Sequence, residues 1–194
     1  GSAGCVLANR LTESGKNSVL LLEAGGTDRS PWVQVPIGYG KVFHDARVNW
    51  KYITERSPNH ANQRTYWPRG KVLGGSSSIN AMVYVRGHAE DYNAWNAVAP
   101  GWGWDEVAPV FHRMEDWDGP VSAVRGTEGP LRVHDVSAEV HPITRTYLQA
   151  AQQAGFKINS DYNGADMEGA ALYQITTKNG LRASTSRAYL RPAK

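Results

Sequence analysis

The sequence predicts an α/β fold built around a parallel sheet. Three observations carry that expectation: a glycine-rich opening that runs straight into a helical pattern, a continuous apolar run of strand length behind it, and an acidic residue that closes the run. All three lie within "GSAGCVLANRLTESGKNSVLLLEAGG", the first 26 of 194 residues. In residues 2–14, Ala3, Val6, Leu7 and Leu11 recur at helical spacing, and Gly15 is placed to end the helix. Residues 18–23, "SVLLLE", are near-continuously apolar, as a parallel strand covered on both faces would be. "AGG" then breaks the strand.

Residues 27–66 carry Pro31, Pro36 and Pro58 and read mostly as loop, a cover segment, with a short strand at 50–54. Residues 67–80, "WPRGKVLGGSSSIN", are Gly/Ser-rich, with a helix starting in the serines. Helices are expected at 89–98 and 104–115, separated by a turn. Pro109 implies a kink or a late start in the second. A strand at 129–135 follows, then a helix opening at Pro142. Its face would be Ile143, Tyr147, Leu148 and Ala151, and Gly155 would close it. Residues 169–185 read as a strand and a turn, and "STSRAYL" as the start of another helix.

The chain is 41% hydrophobic with a formal net charge of +3, enough for one ordinary domain with a real core. The basic residues are dispersed, which argues against a nucleic-acid stripe. No apolar run approaches the ~20 residues that span a bilayer. Cys5 is the single cysteine; without a second thiol it reads as a small packing residue. No metal-ligand set stands out. The compartment is left open, with the cytoplasm favoured.

The opening glycines carry chemistry. A dinucleotide fingerprint is G-x-G-x-x-G between a strand and a helix, with an acid about 20 residues on. Gly1, Ser2, Ala3 and Gly4 supply the last G-x-x-G. Glycines let the backbone approach a pyrophosphate, and the helix N-terminus favours its charge. Glu23 is placed to accept hydrogen bonds from ribose hydroxyls, which favours NAD or FAD over NADP. On this reading the fold is Rossmann-like but incomplete, with the strand before Gly1 missing. The second glycine site, Gly74-Gly75 before three serines, is another place of close backbone approach.

The segment from Trp67 through Tyr92, "WPRGKVLGGSSSINAMVYVRGHAEDY", resembles the first signature of the glucose–methanol–choline (GMC) oxidoreductases. So do the opening "GSAGCVLANRL", "LLEAGG" and "NGLRASTSRAYL"; the tone is closest to the choline dehydrogenase-like branch. The resemblance implies an FAD-binding N-terminal portion of an enzyme that oxidises a small-molecule alcohol to an aldehyde. It implies that Gly1, Ser2, Ala3 and Gly4 line the FAD pyrophosphate and that Glu23 holds the adenosine ribose. Trp67, Arg69, Val72, Gly74, Gly75 and Ser76 would run along the flavin, and Asn80, Ala81, Met82 and Val83 would lie near the isoalloxazine and pyrophosphate. Some members carry a flavin-linked histidine just before this asparagine; here the residue is Ile79, so dissociable FAD is expected.

The resemblance places the catalytic base in a C-terminal region beyond this chain, so no catalytic residue is assigned and the isolated chain is expected to be inactive. Residues 130–180 would begin the substrate domain. The alcohol and the electron acceptor are not specified. His44, His60, His88, His112, His134 and His141 are expected at the surface or in packing roles, with His88 nearest the flavin motif. The tryptophans near 95–117 are expected to pack the helices at 89–115 onto the sheet, and Asp105, Glu106, Glu115, Asp116 and Asp118 are expected on a solvated helix face. Two further readings stand beside this one: a nicotinamide-dependent dehydrogenase domain, which leaves 67–92 without a purpose, and a non-catalytic remnant.

Overall fold

The structure, a computed structural model, describes residues 1–193. In chain order the elements are α1 (Ser2–Thr12), α2 (Pro31–Gln34), α3 (Tyr39–Val42), β1 (Tyr52–Ile53), β2 (Tyr66–Trp67), α4 (Ala89–Asn96), α5 (Trp104–Met114), β3 (Glu115–Trp117), β4 (Leu131–Val133), α6 (Pro142–Gln153), β5 (Thr177–Lys178) and β6 (Leu181–Arg182). A 3-10 turn spans Gly75–Ser78 and a π-helical turn spans Ser186–Leu190. The expected α/β class holds, with β3 and β4 paired in parallel. The chain divides into two compact units.

The first unit holds Gly1–Met82 and the chain from Thr177. Helix α1 forms where expected but turns a different stripe inward. Cys5 and Ala8 are buried, whereas Leu7 and Leu11 are 59% and 50% exposed. The inward neighbour is the turn Ser186–Leu190, and small side chains let it come close; Leu190 joins Cys5 and Ala8 in one cluster. Asn9 Nδ2 donates to the Tyr189 carbonyl at 3.0 Å. The helix ends earlier than expected, at Thr12, and Gly15 follows in the turn at φ +69°, a left-handed position suited to glycine, its amide donating to the Thr12 carbonyl at 2.9 Å.

Residues 18–23 correct an expectation. They form no strand and join no ladder among the described residues. Leu20 and Leu22 are 85% and 81% exposed, while Leu21 packs on the Cys5–Ala8–Leu190 cluster. The apolar run is covered on one side only. Just past it, Gly26 makes a parallel bridge with Val72.

Residues 27–66 contribute more than loop. Val33 and Val42, from α2 and α3, are buried with Val72 and Ile79 in a second cluster, and β1 pairs antiparallel with β2. Asn49, 2% exposed, organises this segment. Its Nδ2 donates to the Phe43 carbonyl and its Oδ1 accepts from the Lys51 and Arg69 amides. The hairpin β5–β6 turns through Asn179 and Gly180, both at positive φ, the Asn-Gly signature of a tight two-residue turn.

The second unit is Val83–Thr176. Its core is Tyr84, Trp117 and Val133, with Met114 and Leu131 packed against them. Helix α5 starts at Trp104 and continues through Pro109 to Met114, so the late start does not occur. Pro109 costs the helix one hydrogen bond. Asp105 and Glu106 in the first turn and His112 and Arg113 in the last suit the helix dipole and support both ends. Tyr92 of α4 meets Trp104 and Phe111 of α5 at ring-centroid distances of 5.6 and 5.9 Å. These aromatic rings pack helix on helix rather than onto a sheet, and Trp95 and Trp102 are 55% and 53% exposed. Helix α6 starts at Pro142 and Gly155 follows it at φ +89°, but Ile143 and Tyr147 are 69% and 73% exposed; its predicted apolar face is not buried.

The acidic stretch divides: Asp105 and Glu106 are exposed, as expected of a solvated face, whereas Glu115 is not. Glu115 is fully buried and accepts from Arg86 Nη2, from Arg125 Nε at 2.9 Å and Nη2 at 3.1 Å, and from the Gly126 amide at 2.9 Å. Arg125 Nη1 continues to Asp161 at 2.6 Å, and its guanidinium lies over the Trp117 ring at 4.1 Å. Asp116 and Asp118 pair with Arg132.

Candidate functional site

Three stretches distant in sequence meet in the first unit: residues 1–4, 23–26 and 70–77. Ser2 joins the first to the third. Its Oγ donates to the Gly74 carbonyl at 2.9 Å and accepts from the Ser77 amide at 3.1 Å. Gly75, at φ +57°, lies so close that a Cβ there would stand 2.5 Å from the Gly1 Cα. Gly74 is also left-handed, at φ +90°. Such close apposition requires glycine at these positions.

The middle stretch is locked to the same turn. The Leu73 amide donates to the Gly26 carbonyl at 3.0 Å, and a Cβ on Gly25 would meet the Lys71 carbonyl oxygen at 1.8 Å. This holds Glu23 beside the opening glycines. Glu23 Oε1 accepts from the Gly25 amide at 3.0 Å, and Oε2 lies 3.5 Å from the Gly1 nitrogen. Side-chain hydrogen bonds tighten the bend further. Ser76 Oγ accepts from the Gly70 amide, Ser77 Oγ donates to the Gly74 carbonyl, and Ser78 Oγ donates to the Leu73 carbonyl.

Of the residues singled out from the sequence, Gly1, Ser2, Ala3, Gly4, Glu23, Val72, Gly74, Gly75 and Ser76 belong to this cluster. Val72 is a fully buried core residue, so it supports the bend from beneath. Trp67 and Arg69 sit on the strand side, with the Arg69 guanidinium over the Trp67 ring at 5.0 Å. Asn80 and Met82 form a bracket: Asn80 Oδ1 accepts from the Met82 amide at 3.1 Å, and Met82 takes φ +64°. Ala81 lies between them and is exposed. Val83 belongs to the second unit, where it bridges to Ile175. Ile79 is buried with Val33, Val42 and Val72.

Two residues escaped the sequence reasoning. Thr185 donates its amide to Ser77 Oγ at 3.0 Å. Arg182, fully buried, donates from Nη1 to the carbonyls of Ser77 and Asn80 and to Asn80 Oδ1. The available signal was "NGLRAST": an arginine two residues past a tight Asn-Gly turn.

The arrangement fits a bound dinucleotide on its own terms. Helix α1 has no side-chain cap and no acidic residue in its first turn, so its amides stay available to an anion. A Cβ on Gly1 or Gly4 would meet nothing within 4 Å; packing within the chain does not explain these glycines, whereas close approach of a phosphate does. The Glu23 carboxylate beside them is an acceptor suited to hydroxyls.

The family model described as GMC oxidoreductase matches residues 1–194. The chain belongs to the GMC oxidoreductase family. An oxygen-dependent choline dehydrogenase of Rhizobium etli (strain CIAT 652) is 50% identical over 194 residues, which is all of this chain and 35% of that protein. The crystal structure of pyridoxine 4-oxidase from Mesorbium loti is similar with a TM-score of 0.92 at 34% identity, covering 100% of this chain and 38% of that one. An FAD-dependent oxidoreductase from Chaetomium thermophilum gives a TM-score of 0.86 at 27% identity, over 99% of this chain and 35% of the other. The chain thus spans about a third of the length of the GMC relatives it matches.

Four of the six histidines make identifiable structural contacts. His88 and His141 accept from the Glu90 and Ile143 amides at the starts of α4 and α6, and His44 stacks on Tyr66. His134 lies between two carboxylates, with Nδ1 2.7 Å from Asp118 and Nε2 3.2 Å from Glu139. Partial burial lowers its pKa, but the bonds and charges of Asp118 and Glu139 more than offset this and leave it raised. A raised folded value stabilises below the unfolded pKa of about 6.5, and that contribution fades as pH rises through the folded value. Thermal melts from mildly acidic to mildly alkaline pH should therefore show stability falling across that window, and His134→Gln should flatten the fall. Arg132, which also contacts Asp118, keeps part of the cluster paired after His134 loses its proton. No helix among the described residues is long and apolar enough to cross a membrane.

Proposed function

We propose that this chain is the FAD-binding portion of an alcohol-oxidising GMC enzyme. The observation that carries the reading is the apposition of two glycine bends, one opening α1 and one preceding the 3-10 turn, tied through Ser2. The structural relative named as FAD-dependent supports the choice of dinucleotide. The nicotinamide alternative leaves residues 67–92 idle, whereas the family match spans them.

In this reading the α1 amides and Ser2 hold the pyrophosphate, and Glu23 holds the adenosine ribose. Trp67, Arg69, Gly74, Gly75 and Ser76 line the path of the flavin, with Val72 behind them. Asn80, Ala81, Met82 and Val83 flank its ring end. When bound, FAD supplies the two-electron acceptor for oxidation of an alcohol to an aldehyde. This chain's own part is to orient that acceptor and exclude water from one side of it. The base that takes the hydroxyl proton is assigned to sequence beyond the chain, so the isolated polypeptide is expected to be inactive. Leu20 and Leu22, exposed here, are proposed to be covered in the full-length parent by further strands of the sheet. The substrate is proposed to be a primary alcohol; choline and pyridoxine are the compounds in the names of its relatives.

The full-length parent should purify yellow, with the two flavin absorption bands. A colourless protein that binds NADH would replace this reading with the nicotinamide one. Ile79 offers no nucleophile, so acid precipitation should release free FAD; flavin that stays with the chain would contradict dissociable binding. Glu23→Ala should weaken FAD binding through loss of charge-assisted bonds worth about 1.5–3 kcal/mol each. A fluorescence titration showing unchanged affinity would remove Glu23 from the site.

A further inference from the structure

Arg182 is 0% exposed, and no Asp or Glu pairs with it among the described residues. A fully buried arginine ordinarily has a carboxylate, because the cost of burying the charge is high. Burial lowers its pKa to about 10, so the side chain keeps its charge near neutrality. Its contacts are oxygens of neutral groups. Nε donates to the Val33 carbonyl at 2.9 Å, and Nη1 to the Ser77 carbonyl at 3.2 Å and to the Asn80 carbonyl and Oδ1 at 2.7 Å each. Nη2 is buried with no hydrogen-bond partner among the described residues.

These contacts converge on one segment. Asn80 Oδ1 holds both Arg182 and the Met82 amide, so the guanidinium fixes the bracket that places Met82 in its left-handed conformation. Ser77, the next acceptor, is the residue whose amide meets Ser2. The cation therefore underlies the Ser77–Met82 stretch without a compensating anion. We propose that Arg182 is a positioning residue for the flavin-facing segment, and that its unneutralised charge makes the site hold reduced, electron-rich flavin more tightly than oxidised flavin. This rests on the FAD reading above. An unpaired charge close to a redox group stabilises the form that carries more electron density, which raises the reduction potential.

The test uses the full-length flavoprotein and two variants, Arg182→Met and Arg182→Lys, with FAD affinity and the two-electron midpoint potential as readouts. Arg182→Met should lose at least about tenfold of the preference for reduced over oxidised flavin, a fall of about 30 mV for a two-electron couple. Arg182→Lys keeps the charge but not the fork. It should keep the potential within that margin while FAD affinity drops, because one ammonium cannot hold Val33, Ser77 and Asn80 together. A yellow Arg182→Met protein with an unchanged potential overturns the inference and leaves the FAD reading intact. If Arg182→Met does not fold, the lysine variant decides: a potential kept with weakened affinity supports the inference, and a potential lowered by about 30 mV or more overturns it. A colourless wild-type protein would instead sink the FAD reading itself.

Discussion

Replacing Gly75 by alanine is expected to cost at least about tenfold in FAD affinity in the full-length protein. Gly75 sits at φ +57°, and a Cβ there would lie 2.5 Å from the Gly1 Cα and 2.8 Å from the Ser2 nitrogen. Both clashing atoms are backbone, so no rotamer change relieves them. The left-handed conformation alone costs a non-glycine residue roughly 1–2 kcal/mol, and 1.4 kcal/mol is about a factor of ten in an equilibrium constant. Parting the bends would also break the Ser2 bonds to Gly74 and Ser77. Gly40→Ala is the control: that glycine meets nothing within 4 Å and has no positive φ. Flavin titration should find Gly40→Ala near wild type and Gly75→Ala severely weakened. Equal affinities would mean that the apposed bends are not part of the binding site.

The second large effect lies in the other unit. Glu115→Ala should destabilise the protein by about 3–5 kcal/mol, the usual cost of breaking a buried ion pair and leaving charge behind. Glu115 is 0% exposed, Arg125 2% and Arg86 4%. Without the carboxylate, Arg86 has no acidic partner among the described residues, and Arg125 keeps Asp161. Urea unfolding measures the loss. Replacing Glu115, Arg86 and Arg125 together by methionine should recover most of it, since apolar replacement of a whole buried network is often neutral. A Glu115→Ala loss below about 1 kcal/mol would show instead that the network contributes no more than a surface pair.

The sequence made the helices and the glycine bends legible because both depend on local chemistry. The α1 pattern, the left-handed turn at Gly15, Pro142 at the head of α6 and the small-residue bend at 74–78 each follow from backbone conformation over a few residues. Long-range neighbours decided the rest. The periodicity of α1 named Leu7 and Leu11, but the partner it meets, residues 186–190, accepts Cys5 and Ala8 instead. "SVLLLE" has the composition of a doubly covered strand, yet pairing needs neighbours, and none of the described residues supplies them. Glu115 looked like one acid among five. Only the fold brings Arg86 and Arg125, distant in sequence, onto its two oxygens. The same holds for Arg182, whose acceptors lie 102 to 149 residues away.

The most direct measurement is a crystal structure of the full-length protein purified with its flavin. It should show pyrophosphate oxygens accepting from the first-turn amides of α1, Glu23 on the adenosine ribose, and the flavin running along the bend at 74–76 toward Asn80. An FAD seated elsewhere, or touching only one of the two bends, would contradict the account.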